Sequence, residues 1–219
     1  MKEILYIASA GGAGTTFLIE WLAQFTDTND PYDRDRLKHT RRPLSNSRLA
    51  EWKVDGNPTP VNVRKSLYIF GNPEEACISH FRRGWASLHA KRTTGKKPEV
   101  ENLDQLIEKK QDIFEFENHF DNWLKGSDYP IMFVRYEAMW ENLDKIFEYA
   151  EVPHNYWDTF PEKRQRESKM KSLPEPVQQG IKEIYGDFSE RTEKVDDVFV
   201  IKPKWYRHRI LYRMKEFLT

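Results

Sequence analysis

Three features are scarce in this sequence: cysteine, an excess of charge of either sign, and long apolar runs. The single cysteine among 219 residues, Cys77, excludes an internal disulfide and favours a reducing compartment. Lysine and arginine together number 35, as do aspartate and glutamate, so net charge provides no general attraction to nucleic acid or to a membrane. The apolar runs are too short to cross a bilayer, and no basic-then-apolar leader opens the chain. We therefore expect a cytoplasmic protein without nucleic-acid or membrane partners.

The histidines give no indication of a metal site. Six are present, but their spacing is not that of a metal site, and we predict that no metal is bound. Internal repeats and low-complexity regions are absent as well. The length suits one α/β domain with a real core, residues 1–219, rather than two domains.

Three apolar runs without polar alternation are typical of strands that are covered on both faces. They lie at residues 3–8, 66–70 and 130–134, and each leads into a segment with helical periodicity. Strands that alternate with helices predict right-handed βαβ units and a parallel sheet with helices on both faces. Ligands of such sheets bind at the carboxyl ends of the strands.

Two long helices are predicted between the second and third runs. The first begins at Asn72 and Pro73, which suit the cap and the first helical position, and it buries Cys77, Phe81, Trp85 and Leu88. Because Cys77 lies on this apolar stripe, we interpret it as a core residue and not as a nucleophile. The second helix covers residues 103–124. Further along, residues 177–185 are predicted to be helical and 198–201 to be a short strand or extended run.

The segment from residue 4 to residue 18 reads as strand, glycine-rich turn and helix in immediate succession. Glycines at positions 11, 12 and 14 let the backbone approach a ligand closely. The helix that starts near Thr15 presents unpaired N–H groups to the turn, and Thr15 and Thr16 add hydroxyls, which together suit an anion. The alternative is a tight turn that needs glycine for packing alone.

Two basic segments could supply cations to such a site. Residues 34–42 contain six basic side chains in a long stretch with little periodicity, closed by Pro43. Long loops beside a ligand site are often functional, although a solvated surface loop is an equally good interpretation of a charge run. The second segment is basic and C-terminal, at residues 202–219.

Three motifs together resemble the sulfotransferases that use 3′-phosphoadenosine-5′-phosphosulfate (PAPS). Residues 10–18, AGGAGTTFL, are similar to the family's Pro-Lys-Ser-Gly-Thr-Thr loop. Residues 68–81, YIFGNPEEACISHF, are similar to its strand-Arg-Asn-Pro-Arg-Asp segment, which ends in a serine. Residues 133–137, FVRYE, are similar to its Val-Arg-Tyr-Glu strand end. The three occur in the family's order.

The resemblance implies a P-loop-like sulfotransferase architecture and transfer of a sulfuryl group from PAPS to a hydroxyl or amine acceptor, with PAP as the product nucleotide. It implies that the loop binds the 5′-phosphosulfate and that Ser79 binds the 3′-phosphate. His39 is the best match to the family's catalytic base, although an ordinary loop histidine is an equally good interpretation. The expected loop residues are Gly11, Gly12, Ala13, Gly14, Thr15 and Thr16.

The departures from the family fall on its charged residues. The loop lysine is replaced by Gly12, and the arginine that binds the 3′-phosphate is replaced by Gly71. Losing two charge-assisted hydrogen bonds would cost about 3–6 kcal/mol, so other cations must replace them if the chemistry is retained. Arg82 and Arg83, one helical turn beyond Ser79, are candidates for the 3′-phosphate.

Two other functions remain open. One is a nonenzymatic nucleotide- or phosphate-binding protein on the same fold, which the two glycines favour. The other, less favoured, is a P-loop kinase. That enzyme needs a lysine where Thr15 stands, and none of the three strands ends in an aspartate placed to hold Mg²⁺.

Overall fold

The computed structural model describes residues 1–163 and 170–204. Its strands are β1 (Lys2–Ser9), β2 (Lys53–Val54), β3 (Asn57–Pro58), β4 (Val61–Phe70), β5 (Ile131–Arg135) and β6 (Val198–Ile201). Four of them form one sheet in the order β1-β4-β5-β6, and β2 and β3 form a separate hairpin.

The sheet is mixed. Strands β1, β4 and β5 are parallel to one another, as the three apolar runs predict. The predicted parallel sheet is confirmed for these three strands, but the sheet as a whole is not parallel, because β6 pairs antiparallel with β5. Residues 198–201 therefore form a strand, and its direction is set by pairing with β5, which the local sequence does not encode. The fold class is α/β.

The helices are α1 (Thr15–Leu22), α2 (Asn46–Leu49), α3 (Pro73–Arg82), α4 (Ala86–Thr94), α5 (Leu103–Lys109), α6 (Phe116–Leu124), α7 (Leu143–Ala150) and α8 (Glu175–Glu193). Side chains of a strand alternate between faces, so β1 contributes Tyr6 to one core and Ile7 to the other. The first core includes residues of α3, α6 and α8, and the second includes residues of α1 and α7. Helices thus cover both faces of the sheet, as predicted. No helix in the two described segments is long and apolar enough to cross a membrane.

Both long helices predicted between β4 and β5 are interrupted. The first divides into α3 and α4 at Gly84, whose φ of +68° is not helical. As a result Trp85 and Leu88 are 54% and 52% exposed, and the prediction that they are buried was wrong. The second divides into α5 and α6, because Lys110 and Glu115 have positive φ. The intervening Phe114 is fully buried, which explains why the apolar periodicity seemed continuous.

The outer edge of β1 is covered by the segment that follows α1. Leu5 N–H donates to the Asp27 carbonyl at 2.8 Å, and Ser9 N–H donates to the Lys38 carbonyl at 3.0 Å. Between them, the side-chain amide of Asn29 accepts from Ile7 N–H at 2.7 Å and donates to Ile7 C=O at 3.0 Å. One buried asparagine therefore takes the place of a neighbouring strand, and the segment carrying Lys38 is held at the carboxyl end of β1.

Of the predicted basic C-terminal segment, residues 205–219 lie outside the described residues. Lys204 is described, and its backbone N–H donates to the Ser127 carbonyl at 2.9 Å. This hydrogen bond joins the residues that follow β6 to those that follow α6.

We predict that Asn29→Leu destabilises the protein by about 2–4 kcal/mol. The substitution is close to isosteric, but it leaves two buried backbone groups of Ile7 without partners. Urea denaturation measures the change. The matched control is Asn155→Leu at an exposed position, which should change the free energy of unfolding by less than about 0.5 kcal/mol. Equal stability of the two variants would show that Asn29 does not hold the edge of β1.

Candidate functional site

The glycine-rich turn lies where the sequence predicts, between the carboxyl end of β1 and the start of α1. Gly11, Gly12 and Gly14 have φ values of +99°, +71° and +63°. Only glycine adopts this left-handed region without strain, so all three residues are required by the backbone itself. The turn ends at Gly14, and α1 begins at Thr15.

Packing accounts for the absence of side chains at these positions. A Cβ on Gly11 would overlap the imidazole of His89, and a Cβ on Gly12 would lie 2.7 Å from the Cβ of Ala76. A Cβ on Gly14 would lie 2.5 Å from the ring of Tyr136. The glycines therefore let helices and an aromatic ring approach the turn closely, and by themselves they do not indicate a ligand.

The two threonines at the start of α1 differ in what they contact. Thr15 is buried, and its hydroxyl lies 3.3 Å from that of Ser9, which also accepts from Gly11 N–H at 3.1 Å. Thr16 is half-buried, and its hydroxyl accepts from the ammonium group of Lys38 at 2.9 Å. Both hydroxyls were predicted to bind an anion, and it is the Thr16 hydroxyl that contacts a cation, the ammonium group of Lys38.

Lys38 brings a buried positive charge to the start of α1. Its ammonium group donates to Thr16 and also to the carbonyl of Pro31. Burial lowers the pKa of Lys38, and the nearby carboxylate of Asp33 opposes that shift. The sequence places Lys38 in a basic cluster but does not single it out, because its contact with Thr16 spans 22 residues of the chain.

His39 follows Lys38 and is held by the same strand. Its Nδ1 lies 2.9 Å from the Ser9 carbonyl oxygen, which can only accept, so Nδ1 carries the proton and Nε2 is left as a lone-pair acceptor. Burial lowers the pKa of His39 well below its usual range, and the ring of His89, 4.4 Å away between centroids, adds to the shift. His39 is therefore neutral at pH 7, which is the state required of a general base.

These groups line one cleft of about 550 Å³, which we call the loop cleft. It contains Gly12, Gly14, Thr15, Thr16, Lys38, His39, Arg83 and Arg92, with the apolar side chains of Phe17, Trp85 and Leu88 and the carboxylate of Glu20. Gly11 and Ala13 line a smaller cavity on the other side of the turn. Three cations against one carboxylate favour an anionic ligand in the loop cleft.

The predicted residues for the 3′-phosphate are not brought together. Arg83 lines the loop cleft and lies over the ring of Trp85, whereas Arg82 is exposed outside the lining. Ser79 is buried in α3 and is also outside the lining. A role of these residues in binding the 3′-phosphate stays a prediction.

The environment of Gly71 is acidic. A Cβ on Gly71 would lie 3.0 Å from a carboxylate oxygen of Glu137, and the same oxygen accepts from Asn72 N–H at 3.2 Å. In the sulfotransferases that this motif resembles, the arginine that binds the 3′-phosphate occupies the position of Gly71. A carboxylate beside a phosphate is repulsive, so a 3′-phosphate at this end of the motif would depend on cations from outside it, such as the predicted Arg82 and Arg83.

Two further observations concern thiol chemistry and metal binding. Cys77 is buried, and burial raises the pKa of its thiol, which makes it a poor nucleophile. Within residues 1–163 and 170–204, no three histidine, cysteine or carboxylate side chains are grouped so as to hold a metal ion.

Neither a protein-family model nor a curated protein sequence matches this chain. The resemblance to sulfotransferases therefore depends on the three motifs themselves.

We predict that the protein loses stability steeply in mild acid. Burial lowers the pKa values of His89 and His119 to about 3, from an ordinary value near 6.5. Between these values the unfolded chain binds more protons than the folded protein, so the free energy of unfolding falls as the pH falls below 6.5. Each histidine contributes about 1.4 kcal/mol per pH unit.

Urea denaturation at pH 7.0, 6.0 and 5.0 measures this slope, and His119→Gln tests its cause. Glutamine keeps a hydrogen-bonding group beside the Tyr68 hydroxyl, which lies 2.9 Å from His119 Nδ1, but it does not titrate. The variant's slope should therefore be smaller by about 1.4 kcal/mol per pH unit. An unchanged slope would assign the acid sensitivity to other groups.

Proposed function

We propose that this protein is a PAPS-dependent sulfotransferase that transfers a sulfuryl group to a hydroxyl acceptor. The observation that carries the proposal is the ammonium group of Lys38 on the Thr16 hydroxyl at the start of α1, with His39 adjacent in the same cleft. Sulfuryl transfer needs positioning, charge stabilisation and a base for the acceptor hydroxyl. The loop cleft contains a group for each of these tasks.

At the donor end, Lys38 takes the place of the family's loop lysine, which is Gly12 in this chain. Lys38, the Thr16 hydroxyl and the first N–H groups of α1 would hold the 5′-phosphosulfate. PAPS would supply the sulfuryl group, and the ammonium of Lys38 would stabilise the negative charge that develops on the bridging oxygen. The fit is good at this end and poor at Gly71.

At the acceptor end, Nε2 of His39 would take the proton of the hydroxyl. The Ser9 carbonyl fixes the tautomer and the ring orientation through Nδ1, so the ring does not need to reorganise during the reaction. Burial favours the neutral form, so His39 stays unprotonated at pH 7, although the lowered pKa also makes it a weaker base than an exposed histidine.

A second function is supported by the carboxylate beside Gly71. If Glu137 excludes a 3′-phosphate, the loop cleft would bind a simpler phosphate or nucleotide without transferring a group. A protein with this second function would bind AMP or inorganic phosphate as tightly as adenosine 3′,5′-bisphosphate. A kinase would instead bind ATP together with Mg²⁺. The three possibilities can be separated by nucleotide binding alone.

We predict that calorimetry detects tighter binding of adenosine 3′,5′-bisphosphate than of AMP, phosphate or ATP with Mg²⁺. Lys38→Met should weaken this binding by about 10-fold to 100-fold, since it removes one charge-assisted hydrogen bond but keeps the length of the side chain. The matched control is Lys145→Met on the surface of α7, which should leave the affinity unchanged. Equal affinity of Lys38→Met and wild type would remove the proposed donor site.

We predict that His39→Gln lowers the rate of sulfuryl transfer by about 10²-fold to 10⁴-fold and leaves donor affinity unchanged. The assay follows labelled sulfate from PAPS to a panel of phenolic and saccharide hydroxyls. Because the pKa of His39 is lowered, the wild-type rate should not fall as the pH drops from 7 to 6. A rate that falls by half in this interval, or an active His39→Gln variant, would exclude His39 as the base.

A further inference from the structure

A second cleft adjoins the loop cleft at His39, and we call it the basic arm. It has a volume of about 560 Å³, within the range of about 300–1,000 Å³ that is usual for ligand sites. Its lining contains six cations and one carboxylate, with Trp52, Leu44 and Leu88 as apolar surface. The cations are Arg36, Arg41, Arg42, Arg48, Lys91 and Arg92, and the carboxylate is Asp33.

Three chain segments converge to build the arm. Residues 36–42 supply three of the arginines, α2 supplies Arg48, and α4 supplies Lys91 and Arg92. The chain as a whole has equal numbers of basic and acidic residues, so this ratio of six to one is a local concentration of positive charge. Cations from separate segments on one concave surface favour an anionic ligand over a uniformly solvated face.

Half of these cations pair with a carboxylate. Arg36 pairs with Asp55, Arg41 pairs with Glu115, and Arg92 lies 3.6 Å from Asp33. For the other three, which are Arg42, Arg48 and Lys91, no carboxylate of residues 1–163 or 170–204 lies within 4 Å. All three are exposed, so a ligand can reach them without displacing an ion pair.

The basic arm and the loop cleft meet at His39. Three residues, His39, Leu88 and Arg92, line both clefts. A group bound in the arm would therefore lie beside His39, in a cleft that Thr16 and Lys38 do not line. Transfer of a sulfuryl group requires the acceptor hydroxyl to lie within reach of the base and in line with the donor's sulfur and its leaving oxygen. Two clefts that share His39 can hold the two substrates next to one another.

We propose that the basic arm binds an acidic saccharide, which presents one of its hydroxyls to His39 as the acceptor. This inference rests on the proposed function, which requires a hydroxyl acceptor, and it adds that the acceptor is polyanionic. In a uronic-acid oligosaccharide every residue carries both a carboxylate and hydroxyls. Wherever its carboxylates pair with the arginines, a hydroxyl therefore lies nearby.

An acidic peptide fits the arm less well. It would offer carboxylates to the arginines, but its acceptor would be a single tyrosine or serine that must lie in register with His39. In a uronic-acid oligosaccharide, by contrast, each residue that pairs with an arginine brings its own hydroxyls, so no single acceptor has to be in register.

Calorimetry with an oligogalacturonate of about six residues tests the proposal. The wild-type protein should bind it with an affinity that falls as salt is raised, and should not bind maltohexaose, a neutral oligosaccharide of the same length. Arg42→Glu and Arg48→Glu should each weaken binding by about tenfold or more. The matched control Lys145→Glu, on the surface of α7, should bind like wild type.

Equal binding of maltohexaose, or charge reversals without effect, would overturn the proposal. A hexaglutamate peptide that binds as tightly as the oligogalacturonate would also overturn it, since the arm would then recognise charge alone.

Titration of the same variants with adenosine 3′,5′-bisphosphate separates this inference from the proposed function. Intact nucleotide binding without saccharide binding rejects only the acceptor class. Saccharide binding without nucleotide binding rejects sulfuryl transfer and with it the role of the saccharide as an acceptor.

Discussion

The candidate site depends on how the outer edge of β1 is satisfied. An edge strand has a row of backbone groups that must find partners, and here they pair with the segment after α1 instead of with another strand. That pairing ends at Ser9, whose N–H bonds to Lys38 and whose carbonyl bonds to His39. The hydrogen bonds that complete the sheet are thus the same ones that place a cation and a base at the start of α1.

Electrostatics and packing act together around this point. Lys38 is buried, its ammonium group donates to Thr16 and to the Pro31 carbonyl, and the negative charge of Asp33 favours its protonated form. The ring of His89 meets that of His39 edge to face, with centroids 4.4 Å apart, and stacks on that of His80 at 3.9 Å. Burial opposes protonation of His39 and His89. His39 and His89 can pack in this way because neutral imidazoles repel neither one another nor the nearby ammonium group of Lys38.

Local sequence patterns were a good guide to the elements and a poor guide to their ends. The three apolar runs are the three parallel strands, and the glycine-rich turn and the start of α1 lie where predicted. Apolar periodicity continued across Gly84 and across Phe114, although each of these positions lies in a break between two helices. Gly84 has a positive φ, and Phe114 is buried although it lies in an irregular connection between two helices. The spacing of apolar residues along the sequence therefore reveals neither break.

The sequence by itself determined the α/β alternation, the strand, turn and helix around residues 10–15, and the position of His39 beside a basic cluster. The tertiary structure decided which members of that cluster matter. Lys38 meets Thr16 across 22 residues, Arg48 and Lys91 reach one cleft from separate helices, and the carboxylate of Glu137 faces Gly71. Periodicity and turn chemistry act over a few residues and are encoded locally. Contacts between charges depend on which segments the sheet and its two cores bring together, and the chain order alone does not specify those contacts.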